Sequence, residues 1–130
     1  MGGGAGLAPY TRAHLVDELA RRPGCHVLLA FHGKVPAGIA ICFEGFSTFT
    51  CRPLLNIHDL VVSPDFRCRG IGSLLLAHAE ALACRMGCCK LTLEVLEGNA
   101  AAQALYLANG YASYALDPAM GRAMFWQKKL

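Results

Sequence analysis

Hydrophobic residues in the first half of the chain recur first at helical and then at strand-like spacing. Leucines and a valine between positions 15 and 19 share one helical face, which predicts a helix over residues 11–22. Three apolar runs follow, and they predict strands at 27–31, 37–43 and 54–62. The turn sequence HGKVP separates the first two strands, and a polar and aromatic stretch forms the connection before the third.

The second half returns to a helical repeat and then alternates once more. Leucines at helical spacing predict a helix over 69–86, and His78 lies on its apolar stripe, which places this histidine in the core. Strict alternation predicts a strand at 90–96. Asn99 is a typical helix cap, so a short helix should run from it to the NG turn at 109–110. Two further strands are expected to pair as an antiparallel hairpin, at 111–116 and 123–130.

This order of elements predicts an α/β domain of the mixed α+β type. The sheet should be mostly antiparallel, with one central β-α-β crossover and helices on both faces. The glycine-rich start predicts a flexible leader over residues 1–10, followed by a single domain over 11–130.

Composition removes several classes of function. A chain of 130 residues suits one core, and 55% hydrophobic against 16% charged residues excludes a disordered protein. The net charge of +3 comes without a run of lysines or arginines, so no nucleic-acid partner is expected. The apolar runs are too short to span a membrane, for which about twenty residues are needed.

Seven cysteines without a visible signal peptide predict reduced thiols in the cytoplasm. We expect them to behave as small apolar core residues. Three of them lie close together, but no second pair of ligands accompanies them, so no metal site is expected. The three are Cys84, Cys88 and Cys89.

A loop containing Gly70 and Gly72 carries the first functional signal, and it has three interpretations. A dinucleotide-binding fingerprint would have a third glycine where Leu75 stands, although Glu94 lies at the spacing of a ribose-binding acid. A nucleotide-triphosphate P-loop would have a lysine before Ser73, and none is present. The third interpretation is an anion held by the first turn of the following helix. Two arginines flank this turn, so a pyrophosphate would suit it.

Two stretches of sequence together resemble a known family. The run DLVVSPDFRCRGIGSLLL at 59–76 and the run NAAAQALYLANGY at 99–111 are similar to two motifs of the GNAT superfamily of acyl-CoA-dependent N-acetyltransferases. The second run matches at Asn99, Tyr106 and the closing Gly-Tyr pair. The family usually begins with a strand and two helices, whereas this chain has one helix, so its N-terminal elements are shortened. An incomplete sheet edge of this kind predicts a homodimer.

The resemblance implies a GNAT-like fold and transfer of acetyl from acetyl-CoA to a primary amine by direct attack. It also implies that the end of the third strand and the glycine loop bind the cofactor, together with the short helix. The residues concerned are Leu60, Val61, Val62, Arg67, Cys68, Arg69, Gly70, Ile71, Gly72, Ser73, Asn99 and Tyr106.

The remaining roles are a general acid, a general base and an acceptor site. The resemblance makes Tyr106 the acid that protonates the departing thiolate. His58 and Asp59 are the candidate bases, and strand alternation should direct them to opposite sides of the sheet. Polyamine and thialysine acetyltransferases have a similar run with a glutamate in place of this histidine. A water chain is the alternative to a dedicated base. Cationic acceptors would be attracted by Glu44, Asp59 and Glu94.

The expected acceptor is a small-molecule amine, with a protein N-terminus or lysine as the second candidate. An acyl-CoA-binding or regulatory module without turnover is the alternative from a different class.

Overall fold

The computed structural model describes residues 6–114 and 117–130. Within these residues lie three α-helices and four strands. In chain order they are α1 (Pro9–Ala20), β1 (Cys25–His32), β2 (Val35–Ser47), β3 (Arg52–Val62), α2 (Ile71–Arg85), β4 (Leu91–Leu93) and α3 (Ala100–Ala108). Short 3₁₀ turns at Pro64–Phe66 and Pro118–Met120 complete the regular structure of the described chain.

The four strands form one sheet in the order β1-β2-β3-β4. The first two pairings are antiparallel hairpins, whereas β4 lies parallel to β3 after the crossover through α2. A parallel neighbour needs such a crossover, because its chain must return to the same end of the sheet. The predicted mixed sheet with a central β-α-β unit is therefore confirmed.

A β-bulge interrupts the pairing of β2 with β3 at His58. Ile57 pairs with Cys42, but Asp59 pairs with the next residue along, Ile41, so His58 has no partner in the ladder. A bulge bends its strand and increases the local twist. Beyond this point β3 no longer pairs with β4. Ile57 is the last residue of β3 that has a partner in β4. The strand predicted at 90–96 is consequently only three residues long.

The core lies between the sheet and α2. Buried residues of the helix pack on buried residues of the strands, and the members of this cluster include Ala40, Cys42, Leu55, Ile57, Leu75, Leu76, Ala79 and Ala83. α3 adds Leu105 and Tyr106 to the margin of the same core. The expectation of helices on both faces is wrong, because α1 has no buried residue. Val27, Leu29 and Phe31 of β1 stay 42%, 56% and 56% exposed.

The predicted C-terminal hairpin does not form. Neither 111–114 nor 123–130 contains a strand, and Trp126 is 81% exposed; Ala115 and Leu116 lie outside the described residues. An isolated hairpin is marginal in water, and β4 offers a neighbour only three residues of edge.

Three smaller predictions also differ from the structure. His78 is exposed, because the buried stripe of α2 runs through positions 75, 76, 79 and 83 instead. Among the cysteines only Cys42 is buried; Cys88 is half-buried and packs against the core, whereas Cys51, Cys68 and Cys84 are exposed and are not core residues. α1 begins at Pro9, inside the predicted leader, since proline suits the first turn of a helix. The leader's residues 1–5 lie outside the described residues.

Candidate active site

A cleft opens where β3 and β4 separate. Their pairing ends at Ile57 and Leu93, and the space beyond has a volume of about 450 Å³. β3 lines one wall with residues 57–62, and the other wall is formed by residues 94–96 and by α3. Arg67 closes one end.

The β3 wall offers main-chain hydrogen-bonding groups. Along residues 60–62, the edge that would face β4 has no strand partner in the part of the chain that the structure describes. Alternate residues of a strand direct their N–H and C=O groups to the same edge. An extended ligand with amide groups can therefore pair with this edge as an added strand does.

A turn that could accept an anion lies beside the cleft, at the start of α2. The first N–H groups of a helix have no intrahelical acceptor, and no side chain caps them here. Gly70 has a φ of 80°, and a Cβ at this position would meet nothing within 4 Å, so the approach to the turn is open. Arg67 donates from Nε to the Val62 carbonyl at 3.2 Å, and the Arg69 guanidinium lies 5.6 Å from the centre of the Phe66 ring. The two arginines add positive charge to a helix end that already favours anions.

Gly72 has a different reason to be glycine. A Cβ there would lie 2.9 Å from Cδ2 of Leu105 in α3. The first turn of α2 and the short helix α3 are therefore in close contact, and this contact fixes the distance between the anion-binding turn and the α3 wall.

Tyr106 lies on the α3 wall of the cleft. Asn99 positions its helix, because Oδ1 accepts a hydrogen bond from the Ala102 N–H at 3.1 Å, and Gly110 with a φ of 87° follows its end. The predicted helix and its cap are confirmed. Burial raises the pKa of the Tyr106 phenol above its usual value of about 10, so the group is protonated at neutral pH.

His58 and Asp59 line the same cleft. The expectation that they face opposite sides of the sheet is wrong, because the bulge interrupts the alternation between them. Asp59 pairs with Ile41, and the His58 ring contacts Phe43 edge-on at 5.4 Å. Ile41 and Phe43 alternate with the buried Cys42, so they share the face that does not carry α2.

The three candidate acceptor carboxylates do not all reach the cleft. Glu94 lines it together with Asp59, and Asn56 donates from Nδ2 to the Glu94 carboxylate at 3.4 Å. Glu44 does not line it. Glu44 lies near Cys88, where burial and then this carboxylate raise the pKa of the thiol.

Two polar residues at α3 were not singled out from the sequence: Gln103 lies inside the helix, and Asn109 directly follows its last residue. Gln103 donates from Nε2 to the carbonyls of Leu96 and Glu97 at 3.1 and 2.7 Å, which holds the loop after β4 against the helix. Asn109 joins α3 to Ser73 in the first turn of α2. The sequence signal at Asn109 was the NG pair, which indicated only the end of a helix.

The described residues contain no group of three histidine, cysteine or acidic side chains placed to hold a metal ion. No helix among them is long and apolar enough to cross a bilayer.

Comparison with known sequences identifies a family. The model described as "Acetyltransferase (GNAT) family" matches residues 5–111. The thialysine N-epsilon-acetyltransferase of Bos taurus is 32% identical over 107 residues, which cover 82% of this chain and 59% of the relative. The enzyme of that name in Caenorhabditis elegans is 35% identical over 81 residues, which cover 62% of this chain and 50% of the relative. The chain thus spans between 50% and 59% of the length of these curated relatives.

Solved structures share the fold at low sequence identity. A crystal structure of a probable acetyltransferase has a TM-score of 0.83 at 17% identity, covering 97% of this chain and 82% of the other. An aminoglycoside N-acetyltransferase in complex with CoA has a TM-score of 0.72 at 21% identity, covering 93% of this chain and 90% of the other.

Proposed function

The chain belongs to the acetyltransferase (GNAT) family, and on that premise we propose that it transfers acetyl from acetyl-CoA to a small-molecule primary amine. The observation that carries the proposal is the composition of the cleft. A free strand edge and an anion-binding turn lie at one side, a protonated tyrosine lies on the α3 wall, and two carboxylates lie among the lining residues. Thialysine and aminoglycosides, which the relatives' names give as substrates, are themselves small amines.

The cosubstrate fits this cleft by its chemistry. The free edge of β3 at Leu60, Val61 and Val62 suits the amides of the pantetheine arm. The first turn of α2, from Gly70 to Ser73, suits the pyrophosphate, because its N–H groups lack acceptors and Gly70 leaves the approach open. Cys68, Arg69 and Arg67 form the loop that encloses it.

In the reaction, the amine nitrogen bonds to the thioester carbonyl carbon, the C–S bond breaks, and acetyl is transferred. One proton must leave the amine and one must reach the thiolate. Tyr106 donates the second, and burial keeps this proton in place across the neutral range. His58 and Asp59, which the bulge brings to the same cleft, are the candidates to accept the first.

Acceptor preference follows from the lining charges. Asp59 and Glu94 are the two acidic residues of the cleft, and a cationic amine gains from both. We leave Glu44 out of the proposed acceptor site, since it lies outside the lining.

Release of free CoA thiol with a panel of primary amines tests the proposal. We expect turnover with at least one small amine and a fall of about 10²–10⁴ in kcat for Tyr106→Phe, the usual contribution of a general acid. If CoA stabilises the protein but no amine in the panel causes release of free CoA thiol, the protein is a binding module and the proposal is overturned.

We further propose a homodimer in the cytoplasm. The exposed residues Val27, Leu29 and Phe31 lie on the edge strand β1, where a second copy can extend the sheet. All seven cysteines are free, as a reducing compartment would keep them. Sedimentation of the wild type and of Leu29→Lys tests the dimer, and a wild type that sediments as a monomer would contradict it.

A further inference from the structure

Asn109 is hydrogen-bonded to two elements at once. Its Nδ2 lies 2.8 Å from the Leu105 carbonyl oxygen in its own helix and 3.0 Å from Oγ of Ser73 in the first turn of α2. The side chain is partly buried. The residue therefore links the end of α3 to the start of α2, next to the close contact between Gly72 and Leu105.

The direction of both hydrogen bonds is determined. A carbonyl oxygen can only accept, so the atom of Asn109 that meets Leu105 must be the NH₂ group and not the amide oxygen. The NH₂ group cannot accept, so Oγ of Ser73 must be the acceptor of the second bond. The hydroxyl hydrogen of Ser73 is then directed to a different acceptor. Among residues 6–114 and 117–130 the structure gives it none.

Ser73 is the third residue of α2, so its hydroxyl stands among the N–H groups that lack intrahelical acceptors. A hydroxyl at this position that accepts from Asn109 presents its own hydrogen to an acceptor outside the protein. This donor adds to the N–H groups of the same turn.

We propose that Asn109 is a positioning residue for the diphosphate of acyl-CoA. It accepts no ligand contact itself but holds the Ser73 hydroxyl so that this group donates a hydrogen bond to the diphosphate. The inference rests on the proposed function, because it names how the same turn recognises its ligand. Asn109 itself touches no ligand. It orients the Ser73 hydroxyl and, with Leu105, holds the turn against α3.

The test compares CoA with pantetheine, which has the same thiol arm but no phosphate. Binding of each is measured by calorimetry for the wild type, Ser73→Ala, Asn109→Ala and the double variant. We expect each single variant to weaken CoA binding by about threefold to tenfold, the range for one lost hydrogen bond, and to change pantetheine binding by less than twofold. In the Ser73→Ala background, Asn109→Ala should have no further effect on CoA.

A matched control uses the other amide of α3. Gln103→Ala removes two side-chain hydrogen bonds to backbone carbonyls of the loop after β4, but none to α2. It should change the affinities for CoA and pantetheine by the same factor.

If Asn109→Ala fails to fold, Asn109→Asp keeps the size of the side chain and reverses the hydrogen bond to Ser73. It should weaken CoA by more than tenfold and raise the KM for acetyl-CoA without changing kcat.

Three results would overturn the inference and leave the proposed function intact. In the first, the wild type binds CoA and the Asn109 variants bind it with the same affinity. In the second, the variants weaken the binding of CoA and of pantetheine equally, and in the third the effects of Asn109→Ala and Ser73→Ala on CoA binding are fully additive; either would indicate a structural role alone. A wild type that binds neither CoA nor pantetheine would instead refute the proposed function, and the inference with it.

Discussion

Replacing Tyr111 with phenylalanine should stabilise the protein. The Tyr111 hydroxyl is buried, and none of the described residues is its hydrogen-bond partner. A buried polar group without a partner costs about 1–3 kcal/mol of stability. Phenylalanine retains the ring, which lies 6.0 Å from the ring of Tyr106 and packs against the core.

The expected gain at neutral pH is about 1 kcal/mol, at the lower end of that range because Tyr111 is only partly buried. For a chain of 130 residues this corresponds to a rise in Tm of about 4 °C.

The gain should grow in alkaline solution. Burial raises the pKa of Tyr111 to about 12 from an ordinary value near 10. Because the folded pKa is the higher one, this contribution to stability is fully present below pH 10 and is lost as the pH rises through 12. A fully buried phenol would lose about 2.7 kcal/mol over two pH units, and solvent screening makes the loss smaller for the half-buried Tyr111. The phenylalanine variant has no phenol to ionise and shows no such loss. The difference in stability between variant and wild type should therefore widen between pH 10 and 12.

Urea unfolding at pH 7, 10 and 11.5 measures this difference, with Tyr10→Phe as the control. The Tyr10 side chain is 73% exposed, so its substitution should leave stability unchanged at each pH. A Tyr111→Phe protein that is no more stable than the wild type at pH 7, or a difference that stays constant to pH 11.5, would refute the reasoning.

Three other substitutions test the site and its support. Tyr106→Phe should abolish the high-pH decline of kcat, which burial shifts to a higher pH than an ordinary tyrosine would give because it raises this pKa; an unchanged pH–rate profile would remove the general-acid assignment. Gly72→Ala should change the unfolding free energy in urea by no more than about 1 kcal/mol, because its Cβ would lie 2.9 Å from Cδ2 at the flexible end of Leu105 and alanine also favours the helix; a loss of about 3 kcal/mol would show that Leu105 cannot move aside. Asn99→Ala should cost about 1 kcal/mol in the same assay through the lost cap on the Ala102 N–H, and Asn99→Asp should restore it.

Elements set by local signals could be predicted from the sequence. Asn99 and the NG turn bound α3 because capping and a left-handed glycine depend on a few neighbouring residues. The glycine turn before α2 was singled out as a candidate anion site for the same reason, since its signal lies in a few neighbouring residues. The crossover followed from the order of the elements and needed no knowledge of side-chain contacts.

Features that depend on pairing between distant strands could not be predicted. Nothing in the stretch NIHDLVV marks His58 as unpaired, since the register is set by β2 across the hairpin. The strand-like alternation at 90–96 likewise does not indicate that β4 pairs with β3 only as far as Ile57. The C-terminal run has a strand-like sequence, but strand formation needs a neighbour with a long enough edge.

His58 amounts to a one-residue insertion in a strand that would be complete without it. Before the bulge, the residue numbers of each pair sum to one constant, as for Ile57 with Cys42. After it, the sum is one higher, as for Asp59 with Ile41. Deleting His58 would make the register of the whole hairpin uniform and leave every core-facing residue in place. The fold is therefore not tied to this site residue. An engineer can lengthen, shorten or replace the bulge to alter chemistry at the cleft without redesigning the core.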